Sequence, residues 1–250
     1  MANRVIAGQK TLLGRTMHGI RYDEIHDEIL LPQQFGQAIL TFRGGASGEE
    51  APIRVIQGPL TRLVAPDRLE VDPVNNEILV PEDDYILVFP REANGNVPPK
   101  RVLLARGGAF QEANVDPIHD LLIVGGSMRM EDGRWKSAIM MFGRTDEGEA
   151  KPRSIITGPG AGAGNRMTVY PPRGLVFAAV RGTSDSDDKS HVAVWSIEDS
   201  GNVSPRWTIG GPKGALRQPR GVTIDPKNKT LIVSDKYLNS VLTYYFPEVF

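Results

Sequence analysis

The chain copies itself about every 50 residues, and that period limits what it can fold into. Four segments share a glycine, a proline four positions later, and a closing apolar run. They read GEEAPIRVI from Gly48, GNVPPKRVL from Gly95, GEAKPRSII from Gly148 and GNVSPRWTI from Gly201. Their last residues are Ile56, Leu103, Ile156 and Ile209, and Ile6 near the N-terminus joins the series, in steps of 50, 47, 53 and 53 residues. A second series of landmarks closes another apolar run with an aromatic ring at Phe42, Phe89, Phe142, Trp195 and Tyr244. A third opens each unit: GIRYDEIHDEILL, RLEVDPVNNEILV, ANVDPIHDLLIV, MTVYPPRGLVFAA and GVTIDPKNKTLIV.

Within a unit the apolar runs are short, rich in Val and Ile, and bounded by Gly, Pro, Asn and Asp, which is the pattern of β-strands. The first unit offers four of them, GIRYD, EILLP, QAILTF and PIRVIQG. No run keeps helical apolar spacing over three turns, so helix is expected to be nearly absent. Four strands in about 40–50 residues match a β-propeller blade, which buries its faces only against neighbouring blades. The expected fold is therefore all-β, a single five-bladed propeller of four-stranded antiparallel blades over residues 1–250. Its units span 18–64, 65–110, 111–164, 165–216, and 217–250 together with 1–14. The last unit, GVTIDPKNKTLIVSDKYLNSVLTYYFPEVF, supplies three strands. The N-terminal NRVIAGQ is expected to pair with it as the fourth, closing the ring and covering an open sheet edge.

Composition narrows the function classes. With 40% hydrophobic residues in 250, the chain has enough apolar material for a sizeable core. Basic and acidic residues nearly cancel, 29 against 30, which argues against a nucleic-acid partner. No stretch approaches the roughly 18 apolar residues of a membrane span, so no membrane partner is expected. No leader is visible, and the compartment is left open between cytoplasmic and extracytoplasmic after leader removal. Cysteine is absent, which removes disulfides and thiolate metal sites.

QPRGVTIDPKNKTLIVSDKYLNSVLTYY resembles the NHL repeat, with its Pro-x-Gly-Ile-x-Val-Asp, a turn, an apolar strand ending in Ser or Ala with Asp or Asn, and a further apolar strand. HGIRYDEIHDEILLPQQFGQAILTF and PDRLEVDPVNNEILVPEDDYILVF are looser copies. The chain thus resembles NHL-repeat-like bacterial β-propeller proteins along nearly its whole length. Such propellers more often have six blades than five. The resemblance implies a blade architecture and leaves activity open, because fold does not fix function. It also implies one enzymatic alternative, since related propellers include metal-dependent lactonases and lyases with a divalent cation on the axis. By that resemblance Glu70, Glu112 and Asn114 are the ligand candidates.

Local motifs argue mostly for structure. GPGAGAGN from Gly158 lacks the Gly-Lys-Ser/Thr of a phosphate cradle and precedes a strand, so it reads as a connection. Asp185, Asp187 and Asp188 in SDSDDK suggest calcium, the only cofactor considered, but lack the glycine and terminal glutamate of a calcium loop, and a solvated hairpin is preferred. His26 and His119 occupy the place of Asn75 in their units and read as turn residues. No spacing of histidines suits zinc, and no nucleophile motif is present.

The positional signal is stronger. In a propeller the first strand of each blade lines the axis. Its opening residues vary between units while the apolar positions do not: His18-Gly19, Asp67-Arg68, Gln111-Glu112, Asn165-Arg166 and Arg220-Gly221, followed by Arg21, Glu70, Asn114, Thr168 and Thr223. A core needs none of these polar groups. Either they neutralise one another as a polar plug, or they form a ligand-binding mouth of His18, Arg21, Arg68, Glu70, Glu112, Asn114, Arg166 and Arg220. The expected function is a non-enzymatic, monomeric binding scaffold for a small anionic or polyhydroxylated ligand or a peptide.

Overall fold

The computed structural model describes residues 3–15, 17–161, 166–182, 190–210 and 214–250. Strands dominate them, and the helical segments are 3-10 turns such as Gln9–Thr11 and Pro59–Thr61. Five antiparallel sheets follow one another. The first is β1 (Arg21–Asp23), β2 (Glu28–Gln33), β3 (Ala38–Arg43) and β4 (Arg54–Gln57). The second is β5 (Glu70–Asp72), β6 (Glu77–Glu82), β7 (Tyr85–Pro90) and β8 (Arg101–Leu104). The third has the order β13-β11-β10-β9, from β9 (Gly108–Asp116), β10 (Leu121–Arg129), β11 (Trp135–Gly143) and β13 (Ser154–Ile156), while the two-residue β12 (Gly148–Glu149) runs parallel to β8. The fourth is β14 (Arg166–Tyr170), β15 (Leu175–Val180), β16 (His191–Ser196) and β17 (Trp207–Gly210). The fifth is β18 (Pro219–Asp225), β19 (Thr230–Asp235) and β20 (Ser240–Tyr245). Each sheet is a propeller blade, and the fold class is the all-β, five-bladed β-propeller expected from the repeat.

The chain divides into two compact units, one of Met1–Val115 with Asp146–Ala150, the other of Asp116–Thr145 with Lys151–Phe250. In the first unit Leu30, Ile39, Ile56, Ile78, Leu87 and Phe89 form one apolar cluster, and Leu40, Phe42 and Ala46 form another. In the second, Ile123, Met141, Ile156, Val176 and Trp195 pack together, as do Phe177, Val194, Leu231 and Val233. The aromatic landmarks Phe42, Phe89, Phe142 and Trp195 are fully buried, and Tyr244 is half-buried. Each such ring contributes about 1.5–3 kcal/mol by leaving water.

The turn between the first two strands explains the opening motif. A buried aspartate ends the first strand and folds the chain onto itself. Asp23 accepts from the backbone N–H groups of Ile25 and His26 at 3.0 Å and faces the His26 ring at 2.8 Å. Asp72 does the same with Asn75, Asp116 with His119 and Asp225 with Asn228. The next residues, Asp27, Asn76, Asp120 and Lys229, lie in the left-handed region at φ 54°, 56°, 55° and 53°. Asp and Asn tolerate that conformation best. Histidine and asparagine therefore do one job here, donating a side-chain N–H to the aspartate. The fourth blade solves the turn differently, with Pro171, Pro172 and the left-handed Gly174.

The conserved-spacing glycines have an equally local role. Ile56 forms a parallel bridge to Gly95, Ile156 to Gly201, and Leu103 pairs with Gly148. A Cβ at Gly48, Gly95, Gly148 or Gly201 would meet nothing within 4 Å, so space is not the reason for glycine. The reason is the backbone, which sits at φ between 64° and 80° in all four. The fourth strand of one blade thus docks on a left-handed glycine of the next.

The chain's start makes the same contact. The fifth sheet counts three strands among the described residues. Ile6 bridges Gly48, with Ala7 N–H to the Gly48 carbonyl at 2.9 Å and Gly48 N–H to the Val5 carbonyl at 2.6 Å. The N-terminal strand thus repeats what Ile56 does at Gly95, and its ladder bonds run forward to the first blade. The left-handed glycine offers both a donor and an acceptor to the arriving strand.

Two outcomes follow for stability. Asp23→Ala is expected to cost about 1–3 kcal/mol in denaturant unfolding, because buried donors lose their acceptor, whereas His26→Asn leaves the midpoint nearly unchanged. Deleting residues 1–8 removes the Gly48 bridge and the 2.8 Å bond from Arg4 to the Gly44 carbonyl. The melting temperature is expected to fall by several degrees, and an unchanged value would contradict a structural role for this strand.

Candidate functional site

The first strands carry the site, and the aspartate turn sets which residues face it. Two positions before the turn aspartate stand Arg21, Glu70 and Asn114, and four before it stand Gly19, Arg68 and Glu112. Side chains alternate along a strand, so these levels share a face. Gly19 leaves room for the neighbouring blade: a Cβ there would sit 3.3 Å from the Asp67 carbonyl and 3.4 Å from the Arg68 Cα.

Within the first compact unit three blades bring these positions together. Arg21 donates through Nε to Glu70 at 3.0 Å and through Nη2 to Glu112 at 2.9 Å. Arg68 donates to the other Glu112 oxygen at 3.0 Å. Glu112 is 1% exposed, and the remaining Glu70 oxygen accepts from the Val71 N–H at 2.9 Å. Every carboxylate oxygen of the pair therefore already has a donor. Asp67 links the cluster outward, pairing with His18 and lying 3.4 Å from Arg68 Nε, which makes no hydrogen bond itself. Asn114 is 4% exposed on β9, and its Nδ2 donor is unpartnered.

Burial pushes the Glu70 carboxyl above the usual carboxylate range, with Arg21 pulling the other way, and the Glu70 charge in turn raises Arg21. Three of the hydrogen bonds to the two carboxylates are donated by guanidinium groups, which makes them charge-assisted.

A cleft of about 650 Å³ opens beside the cluster, lined among others by Asp67, Arg68, Glu82, Asp83, Tyr85 and Phe110. Glu82 clamps the incoming connection by accepting from Val64 N–H at 3.0 Å and Ala65 N–H at 3.1 Å. Burial raises its carboxyl, and the two backbone donors oppose that. Tyr85 is raised by burial and then by the Glu82 charge, while Arg62 lies over its ring at 5.5 Å. Glu82, Asp83 and Tyr85 belong to the hairpin between second and third strands. Sequence reasoning passed over them, although the acidic run PEDDY in that hairpin was a visible signal.

The other candidates lie in the second unit. Arg166 opens β14, opposite Ala179. Arg220 sits in a bulge between Pro219 and Gly221, exposed, on a cleft of about 420 Å³ with Ser234 and Lys236. The bulge explains why Arg220 precedes its expected position by one residue. Asn165, Asp185, Asp187 and Asp188 fall outside the described residues.

A divalent cation fits the Glu70–Glu112 pair poorly. It would need carboxylate oxygens on which Arg21, Arg68 and Val71 already place donors, next to two guanidinium charges.

Comparison with known proteins supports the fold and goes no further. No protein-family model matches the chain, and no curated protein matches it by sequence. Solved structures do match. Hydrazine synthase of Kuenenia stuttgartiensis superposes with a TM-score of 0.64 at 11% identity, over 93% of this chain and 65% of that one. A chain of a nidogen/laminin complex gives 0.60 at 16% identity, over 92% of this chain and 76% of that one. The chain therefore spans just under two thirds of the hydrazine synthase chain it resembles. At such identities the likeness is one of fold alone.

The ion-pair cluster makes a quantitative expectation. Arg21→Met leaves the buried Glu112 and the half-buried Glu70 each short of a donor and is expected to cost about 3–5 kcal/mol, while Glu70→Gln costs far less. The double variant recovers part of the loss, and a denaturant double-mutant cycle reads the coupling. Additive effects would show that Arg21 and Glu70 do not interact.

Proposed function

We propose that this protein is an NHL-like propeller acting as a non-enzymatic binding scaffold, with its ligand received at the mouth formed by the first strands of the first unit. The observation that carries this reading is that every carboxylate oxygen of Glu70 and Glu112 accepts from a guanidinium or backbone donor. Each of their four oxygens already accepts an N–H, three of them from guanidinium groups, so an arriving cation or substrate proton meets positive charge there. What they do instead is hold Arg21 and Arg68 in place, with Arg68 lining a cleft, which is how a rigid frame serves variable loops. The NHL reading is supported by the fifth blade, where GVTIDPKNKTLIVSDKYLNSVLTYY supplies β18, β19, β20 and the Asp225–Asn228 turn.

The same pairing shifts the ligand class. Arginines that are already neutralised lose much of their pull on an anion. That weakens the anionic and acidic-peptide alternatives and favours the polyhydroxylated one. The scaffold is proposed to work as a monomer, with no nucleic-acid or membrane partner and no cofactor. Among the described residues no helix is long and apolar enough to cross a membrane.

Calcium titration by calorimetry, paired with elemental analysis of the purified protein, separates scaffold from lactonase-like enzyme. The scaffold reading expects no saturable heat and no stoichiometric metal. One bound divalent ion per chain, together with hydrolysis of simple lactones, would overturn it.

A further inference from the structure

The cleft beside Arg68 has walls of three kinds. Tyr85 and Phe110 give it aromatic surface, and the half-exposed rim includes Val64. Asp67, Glu82 and Asp83 give it acceptors, and Arg68 and Gln34 give it donors. Two of its polar groups are uncommitted. The Tyr85 hydroxyl and the Asp83 carboxylate make no side-chain hydrogen bond among the described residues. Arg68 lines the cleft as well, with Nη1 on Glu112 and a buried Nε that makes no hydrogen bond. One residue beyond Gln34, at the hairpin tip, Phe35 is 81% exposed, an unusual cost for a ring with nothing to cover it.

From this mixture we infer that the cleft takes a neutral oligosaccharide, with a sugar ring against Tyr85 and its hydroxyls on Asp83 and Arg68. This rests on the binding-scaffold reading and names its ligand class. Three carboxylates around the cleft repel an anion, and Arg68 at its floor, with Arg62 over Tyr85, opposes a compact cation. A hydroxyl both donates and accepts, so it satisfies carboxylate and guanidinium at once. The C–H face of a pyranose lies well on an aromatic ring, and the ring costs little entropy to hold because it has few rotatable bonds. The volume of about 650 Å³ falls in the ordinary range of ligand pockets and accommodates more than one sugar ring.

The site also has a reason to be rigid. Glu82 fixes the connection through residues 64 and 65, and the backbone N–H of Phe110 donates to the Asp83 carbonyl, tying β9 to the hairpin tip. Asp83 sits at φ 42°, in the left-handed region, so the hairpin tip projects its carboxylate without a long flexible stem.

The test is a ¹⁵N-resolved NMR titration of the whole chain with maltotriose, cellotriose, chitotriose, inorganic phosphate and spermidine, with the sugar spectra followed for cleavage. At least one trisaccharide is expected to give saturable shifts at Asp83, Tyr85 and Phe110. Tyr85→Ala is expected to weaken it by about tenfold or more, and Asp83→Asn, which suits the left-handed position, by several-fold. Trp135→Ala, on the β10–β11 hairpin, leaves it unchanged. The inference is overturned if no trisaccharide binds, if the shifts fall away from the cleft, or if Asp83→Asn and Tyr85→Ala both bind like wild type. Binding of phosphate or spermidine alone at the cleft also overturns it and leaves the scaffold reading standing, whereas cleavage of a bound sugar overturns the scaffold reading itself.

Discussion

A buried aspartate at the end of the first strand is the constraint on which the site depends. By capturing the N–H groups of the turn, Asp23, Asp72 and Asp116 fix where the first strand stops. The register of β1 on β2 and of β5 on β6 then follows, with Arg21 opposite Leu30 and Glu70 opposite Leu79. A slip of one residue would turn Arg21 and Glu70 to the other face of their sheets. The polar cluster is thus a consequence of a turn motif, and its residues need no special local structure of their own.

The cluster shows how a repeat protein produces asymmetry from equivalent positions. Arg21 and Glu70 occupy one level, Arg68 and Glu112 another, and opposite charges alternate between successive blades. Arg21 crosses levels to reach Glu112, so one guanidinium ties three blades together. Burial makes each ion costly to isolate and the set costly to break, which gives specificity of arrangement more than net stability. The same logic recurs away from the mouth, where buried Glu28 accepts from Arg54 of its own blade at 2.5 Å and from Arg91 of the next at 2.8 Å.

Much of this was legible in the sequence, and for a physical reason: each blade solves the same packing problem, so landmarks recur. The fixed glycine, the aromatic at the end of the third strand and the Asp-x-x-His or Asp-x-x-Asn turn each mark one contact repeated blade by blade. The meeting of Arg21, Arg68, Glu70 and Glu112 followed from repeat positions alone. The pattern left open whether they neutralise one another or receive a ligand, because pairing depends on side-chain reach across levels and not on spacing along the strand. Ile6 has the sequence of a fourth strand, and its bridge to Gly48 repeats the bridge of Ile56 to Gly95. The bulge at Arg220 was hidden too, since a one-residue insertion shifts a side chain without changing the apolar alternation.

The central claim is that the Glu70 and Glu112 carboxylates are held by arginine and are not free to bind a cation. A crystal soaked in manganese and measured at an energy where the metal scatters anomalously tests it directly. The account predicts Arg21 bridging both carboxylates at hydrogen-bond distance, with no anomalous peak between them. A peak at that position, with the Arg21 guanidinium displaced from Glu70 and Glu112, would contradict it.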